Sequence, residues 1–165
     1  MHDTSTPIPA ASKRLNEMVS YVRQFTRDFP ELNRLIRGEE TSSRQIAWAV
    51  LDAVDDWNTT PPFLGRVGLE NFPSIPALRE GAVATLLKSV AMLQLRNQLD
   101  YSDGGIQVSS SNKGPVLMQW AQLYQENYER KRDRIKASLN VEFAMGGGGV
   151  FSEYFVISGS YLSLG

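Results

Sequence analysis

The side chains in this sequence that are equipped for chemistry are few, and carboxylates dominate them. Cysteine is absent and the one histidine, His2, stands at the start of the chain. That removes thiolate metal sites, disulfide staples, cysteine nucleophiles and any imidazole base in the body of the protein. An enzyme would have to work with carboxylates, Lys or Tyr alone. Asp52, Asp55 and Asp56 crowd the end of one helical segment. Negative charge there opposes the macrodipole at about 0.3–1 kcal/mol each if exposed, so the cluster reads as solvated carboxylates before it reads as a cation or partner site. Asp100 and Asp103 with Gly104 and Gly105 hint at a calcium loop, but Leu99 and Tyr101 fall where oxygen ligands belong and Ser111 where a closing Glu belongs, which favours a plain turn. The four glycines Gly146–Gly149 lack the Lys and Ser or Thr of a phosphate loop. Glu129–Lys136 carries five basic and two acidic residues. With Glu129 and Asp133 interleaved and Ile135 on the apolar stripe, this stretch predicts a solvated or subunit-facing helix ahead of a nucleic-acid surface.

The elements that position these residues are helices. The central one begins at Pro76. Leu78, Ala82, Leu86, Val90 and Leu93 recur at helical spacing, Val83, Leu87 and Ala91 widen the stripe, and Lys88 is the only charge between Gly81 and Leu95. Apolar residues on more than one face predict a helix packed on several sides by the others. Ser74 is placed to cap it and Pro76 suits its first turn. After Asn97 the segment Asp100–Gly105 predicts a tight turn leading into Ile106 and Val108, read as a short β excursion.

The chain of 165 residues, 42% hydrophobic and 21% charged with a formal net charge of −1, has the composition of one globular domain. That charge gives no global case for nucleic acid or an anionic membrane. No apolar run reaches the roughly 18 residues that span a bilayer, and no basic-then-apolar leader is visible, so no membrane partner is expected. Residues 1–11 read as a flexible arm. From Ser12, the spacing of Leu15, Met18, Val22, Phe25 and Phe29 predicts a first helix capped by Ser12 and stopped by Pro30. A short helix over Glu31–Arg37 follows, capped by Asp28. Thr41 or Ser42 caps the next helix, with Ile46, Val50, Ala53 and Trp57 inward and its end at Asn58, before Thr59-Thr60-Pro61-Pro62. Phe63–Pro73 is an apolar loop that either folds back over the core, the default, or lies against another subunit. Beyond Ser109–Gly114, Asn112 caps a last helix whose stripe is Leu117, Trp120, Tyr124, Tyr128, Ile135 and Leu139, running to about Asn140, with its basic residues favouring its own C-terminus. Trp48, Trp57 and Trp120 read most simply as core; Trp48, off its helix's stripe, is the one that is also an interface candidate.

After the glycine hinge, Val150, Phe151, Tyr154, Phe155, Val156 and Ile157 have strand composition with both faces apolar. Such a segment tethered by glycines is an aggregation hazard unless a partner covers it. The chain therefore reads as mainly α: a helical bundle of about four main helices over residues 12–140, with a short β excursion after the third and an extended strand-like C-terminal arm over residues 141–165.

The order of motifs carries a resemblance. Asp28-Phe-Pro-Glu-Leu-Asn-Arg34, Asp55-Asp-Trp-Asn-Thr-Thr-Pro-Pro62, Asn71-Phe-Pro73, Leu95-Arg-Asn-Gln-Leu-Asp-Tyr-Ser-Asp-Gly-Gly105 and the long charged last helix together resemble the neck proteins of tailed bacteriophages. The likeness covers about residues 12–145. It implies a structural virion protein without cofactors: a head-to-tail adaptor, or connector, made in the host cytoplasm and located in the neck. Members form rings, often of twelve copies, that dock on the portal protein, present a surface to the next neck or tail protein, and surround genomic DNA that passes through without sequence-specific binding. Val150–Ile157 lies beyond that likeness and is expected from its own chemistry to bind a partner, and Trp48, Asp55, Asp56, Arg130, Arg132 and Arg134 are candidate inter-subunit contacts. A helical nucleic-acid-binding protein using Arg130–Lys136 is the alternative, and a carboxylate enzyme using Asp52, Asp55, Asp56 or Asp100 ranks last.

Overall fold

A computed structural model describes residues 12–33, 38–96, 101–103, 106–108 and 113–145. Four helices make up most of it: α1 (Lys13–Thr26), α2 (Ser43–Thr59), α3 (Ile75–Arg96) and α4 (Lys113–Ala144). Between α3 and α4 the backbones of β1 (Tyr101–Asp103) and β2 (Ile106–Val108) run antiparallel, Ser102 opposite Gln107.

Local chemistry sets the helix starts. Ser12 accepts the Leu15 amide at 3.1 Å. Ser42 and Gln45 form a reciprocal capping box, each side chain taking the other's backbone N–H. Ser74 accepts the Ala77 amide at 3.4 Å with its hydroxyl and the Leu78 amide at 3.0 Å with its carbonyl. Helix α1 ends at Arg27, which adopts φ 54°, a left-handed position that glycine fills more cheaply.

Helix α3 is central, as its pattern requires: it packs against α1, α2 and α4. Leu78 and Ala82 are fully buried, but Leu93 near its far end is exposed. Helices α2 and α3 approach closely where Gly81 faces Ala53 and Tyr128; a Cβ there would lie 3.0 Å from the Ala53 Cβ. The core is completed by Met18, Val22, Ile46, Val50, Trp57 and Ile135. The loop after α2 does fold back: Phe72 is buried edge-on against Trp57 with ring centroids 5.1 Å apart, and Asn58 holds both the N–H and C=O of Val67. Across α1, α3 and α4, the Arg79 guanidinium lies 4.1 Å from the centre of the Phe25 ring, which meets Tyr124 edge-on.

Several expectations are corrected. Trp120 is 51% exposed while the adjacent Ala121 is buried, so at this turn α4 presents the smaller side chain to the body of the protein. Helix α4 continues past Asn140 to Ala144, so the basic stretch lies inside it and cannot serve its C-terminus. Asp28 does not cap the segment that follows it: its carboxylate accepts the amides of Glu40 and Thr41 at 2.7 and 2.8 Å, tying the approach to α2. Residues 29–33 form a turn in which the Phe29 carbonyl accepts from Leu32 and Asn33; the remainder of the expected Glu31–Arg37 helix lies outside the described residues.

Candidate functional site

The most developed polar arrangement lies where α4 crosses the C-terminal end of α2, and it originates in Thr60-Pro61-Pro62. A helix leaves its last carbonyls without intrahelical donors. For Trp57 the residue four positions on is Pro61, which has no N–H to give. Lys136 supplies the missing donor. Its ammonium, on a residue only 2% exposed, donates to the Trp57 carbonyl at 2.5 Å and to the carbonyls of Thr60 and Pro62, and lies 5.3 Å from the centre of the Trp57 ring. A cation at this end also complements the α2 dipole. Burial, then the nearby Arg132 charge, pulls the Lys136 ammonium below the usual lysine range.

One turn earlier on α4, Arg132 donates to Asp56 Oδ2 at 2.6 Å and to its neighbour Asp133 at 2.9 Å. Burial works against its charge, but the hydrogen bonds it donates to both carboxylates prevail and push the guanidinium above its ordinary range. Another turn earlier, the buried Tyr128 hydroxyl donates to the Ala53 carbonyl at 2.8 Å. Burial first, and the Asp56 charge second, push its phenol far above the usual tyrosine range. Lys131, on the next face, pairs with Glu80 of α3 at 2.6 Å. A second buried knot joins α1 to α2: Arg23 pairs with Glu39 at 3.0 Å and donates to the Thr41 carbonyl and the Ser43 hydroxyl.

These arrangements fasten helices to one another. Among the described residues no three His, Asp or Glu side chains are grouped to hold a metal. No described helix is long and apolar enough to cross a membrane. Searches for a matching family model, a related curated protein and a similar solved structure each returned no match.

The structure divides the site residues read from sequence. Asp56 and Arg132 pair with each other within the chain. Asp55, Arg130 and Arg134 are exposed and form no ion pair among the described residues, and Trp48 is 62% exposed. Asp100, Gly104, Gly105, the glycines Gly146–Gly149 and the arm residues Val150, Phe151, Tyr154, Phe155, Val156 and Ile157 lie outside the described residues, as does the side chain of Asp103. Sequence reasoning missed Lys136. The available signal was the pair of prolines after α2, which leaves carbonyls that some donor elsewhere has to meet.

Proposed function

We propose that this chain is a structural protein of the phage neck, a ring-forming head-to-tail adaptor that docks on a portal protein and links it to the next neck or tail component. The single observation carrying the proposal beyond the sequence resemblance is where its apolar surface lies. At the end of α4, Val141, Phe143 and Met145 are exposed, the last two at 63% and 73%, directly ahead of the glycine hinge and the apolar segment Val150–Ile157. Val141 and Met145 share one side of the helix and Phe143 stands on another, and large apolar side chains exposed together at one helix end are suited to burial by another chain. In this reading the body is the rigid part, and the β excursion and C-terminal arm reach the portal or a neighbouring subunit, the arm by strand addition. The ring, of twelve copies, surrounds the DNA without reading it, and the protein acts by assembly and not by catalysis, in the neck of the virion.

The nucleic-acid-binding alternative loses ground because Arg132 and Lys136 are buried and Lys131 is paired, which leaves Arg130 and Arg134 as the free cations of the stretch Arg130–Lys136. Removing residues 146–165 tests the adaptor reading. Circular dichroism of the truncated chain should keep the full helical signal while co-sedimentation with the cognate portal protein is lost. Undiminished portal binding by the truncated chain would sink the arm's role, and a salt-sensitive affinity for DNA comparable to its portal affinity would favour the alternative.

A further inference from the structure

Two exposed surfaces of this chain complement one another. On α2, Leu51 and Asp52 stand three and four residues after Trp48, and Asp55 four and three after them, so all share one outward face. The indole is largely in solvent, and neither carboxylate forms an ion pair among the described residues. Between the start of α3 and the later turns of α4 lies a cleft of about 470 Å³ with Pro76, Ile135 and Leu139 as apolar walls and Lys131 and Arg134 as its cations. Arg130 adds a further exposed positive charge one turn before Arg134, and neither arginine is paired among the described residues. One surface is an aromatic knob beside two carboxylates. The other is an apolar cleft beside unpaired guanidinium groups.

We propose that the Trp48 face of α2 on one copy docks into the Pro76–Leu139 cleft of a second copy of this chain. The inference rests on the ring reading above and names the surfaces that close it. Trp48 enters between Pro76, Ile135 and Leu139, where Arg134 can lie against the indole face. Asp52 and Asp55 then meet Arg130 and Arg134, in a shell of charge that sets register and partner choice around the buried aromatic. The two surfaces share no residue, so the contact is head-to-tail: each copy offers a knob to one neighbour and a cleft to the other. Such a contact propagates and closes into a ring when its rotation permits.

Charge reversal tests this on the full-length chain. The first variant carries Asp52→Arg and Asp55→Arg, so both its surfaces are positive; the second carries Arg130→Glu and Arg134→Glu, so both are negative. Native mass spectrometry and light scattering, with and without the cognate portal protein, should show wild-type assembly and an association at least about tenfold weaker for each variant alone. Mixed in equal amounts, the variants should assemble again with strictly alternating composition, and Trp48→Ala should weaken the wild-type assembly. If each variant alone assembles like wild type, this interface is wrong while the ring reading stands. If both variants are helical but their mixture does not recover, the complementarity is overturned. A wild-type chain that stays monomeric under both conditions overturns the ring reading and this interface with it.

Discussion

Replacing Lys136 by Met keeps an unbranched apolar stem of similar reach, with sulfur in place of the δ-methylene, and removes the ammonium. In the wild type that ammonium meets the Trp57 and Thr60 carbonyls at close range, and Pro62 more distantly at 3.4 Å. A hydrogen bond from a charged donor contributes about 1.5–3 kcal/mol net, and a buried carbonyl left without a partner costs about 1–3 kcal/mol. The Trp57 bond is buried, so its carbonyl bears that cost in full; the Thr60 bond is partly buried, so water can recover some of its share. Against this, methionine avoids desolvating a charge and packs on the Trp57 ring. The balance is a loss of about 2–4 kcal/mol, which for a domain of this size lowers the thermal midpoint by about 4–16 °C. Thermal unfolding followed by circular dichroism at neutral pH reads it directly. Lys13→Met is the control, since Lys13 is solvent-exposed with only a 4.0 Å contact to Glu17, and should leave the midpoint unchanged. A Lys136→Met midpoint indistinguishable from wild type would show that water or a backbone shift satisfies those carbonyls and that the lysine does not cap α2.

Three further outcomes follow from the same structure. Arg27 holds a left-handed backbone at φ 54°, so Arg27→Gly should raise the thermal midpoint, by about 0.5–1 kcal/mol of stability; a fall would mean the arginine side chain has a role at that corner. Tyr128 has a phenol pushed up by burial, so above about pH 10 the unfolded chain loses a proton that the folded chain keeps. Stability should therefore be complete below that pH and fall above it, and Tyr128→Phe should flatten this alkaline loss at a neutral-pH cost of about 0.5–1.5 kcal/mol; an unchanged alkaline limb in chemical unfolding would refute the assignment. Gly81→Val would drive a branched side chain against Ala53 and Tyr128, whose atoms lie 3.0–3.2 Å from where a Cβ would stand, and should cost at least about 1–3 kcal/mol in urea unfolding; a neutral result would show that α2 and α4 can move apart there.

How much of this was legible from sequence differs by feature. Helix starts were, because Ser12, Ser42 and Ser74 act through amides within three or four residues of themselves, and local chemistry of that kind is written locally. The central place of α3 was too, since apolar residues on several faces leave no side for water. The polar junction was not. Arg132 and Lys136 read as part of a solvated basic run, yet their partners Asp56, Trp57 and Thr60 stand more than seventy positions earlier in the chain. Only the crossing of α4 over the end of α2 brings them together, and no periodicity encodes that crossing. Trp120 erred in the opposite direction: it holds the spacing of a core stripe, yet its neighbour Ala121 is the buried residue, and spacing alone does not decide which of two adjacent positions faces the core.

Electron microscopy of the full-length chain mixed with its cognate portal protein tests the adaptor reading most directly. A closed ring of this chain stacked coaxially on one face of the portal, with density for the residues beyond Met145 reaching into the portal or a neighbouring subunit, is the predicted result. A portal that stays bare beside a monodisperse monomer would contradict it.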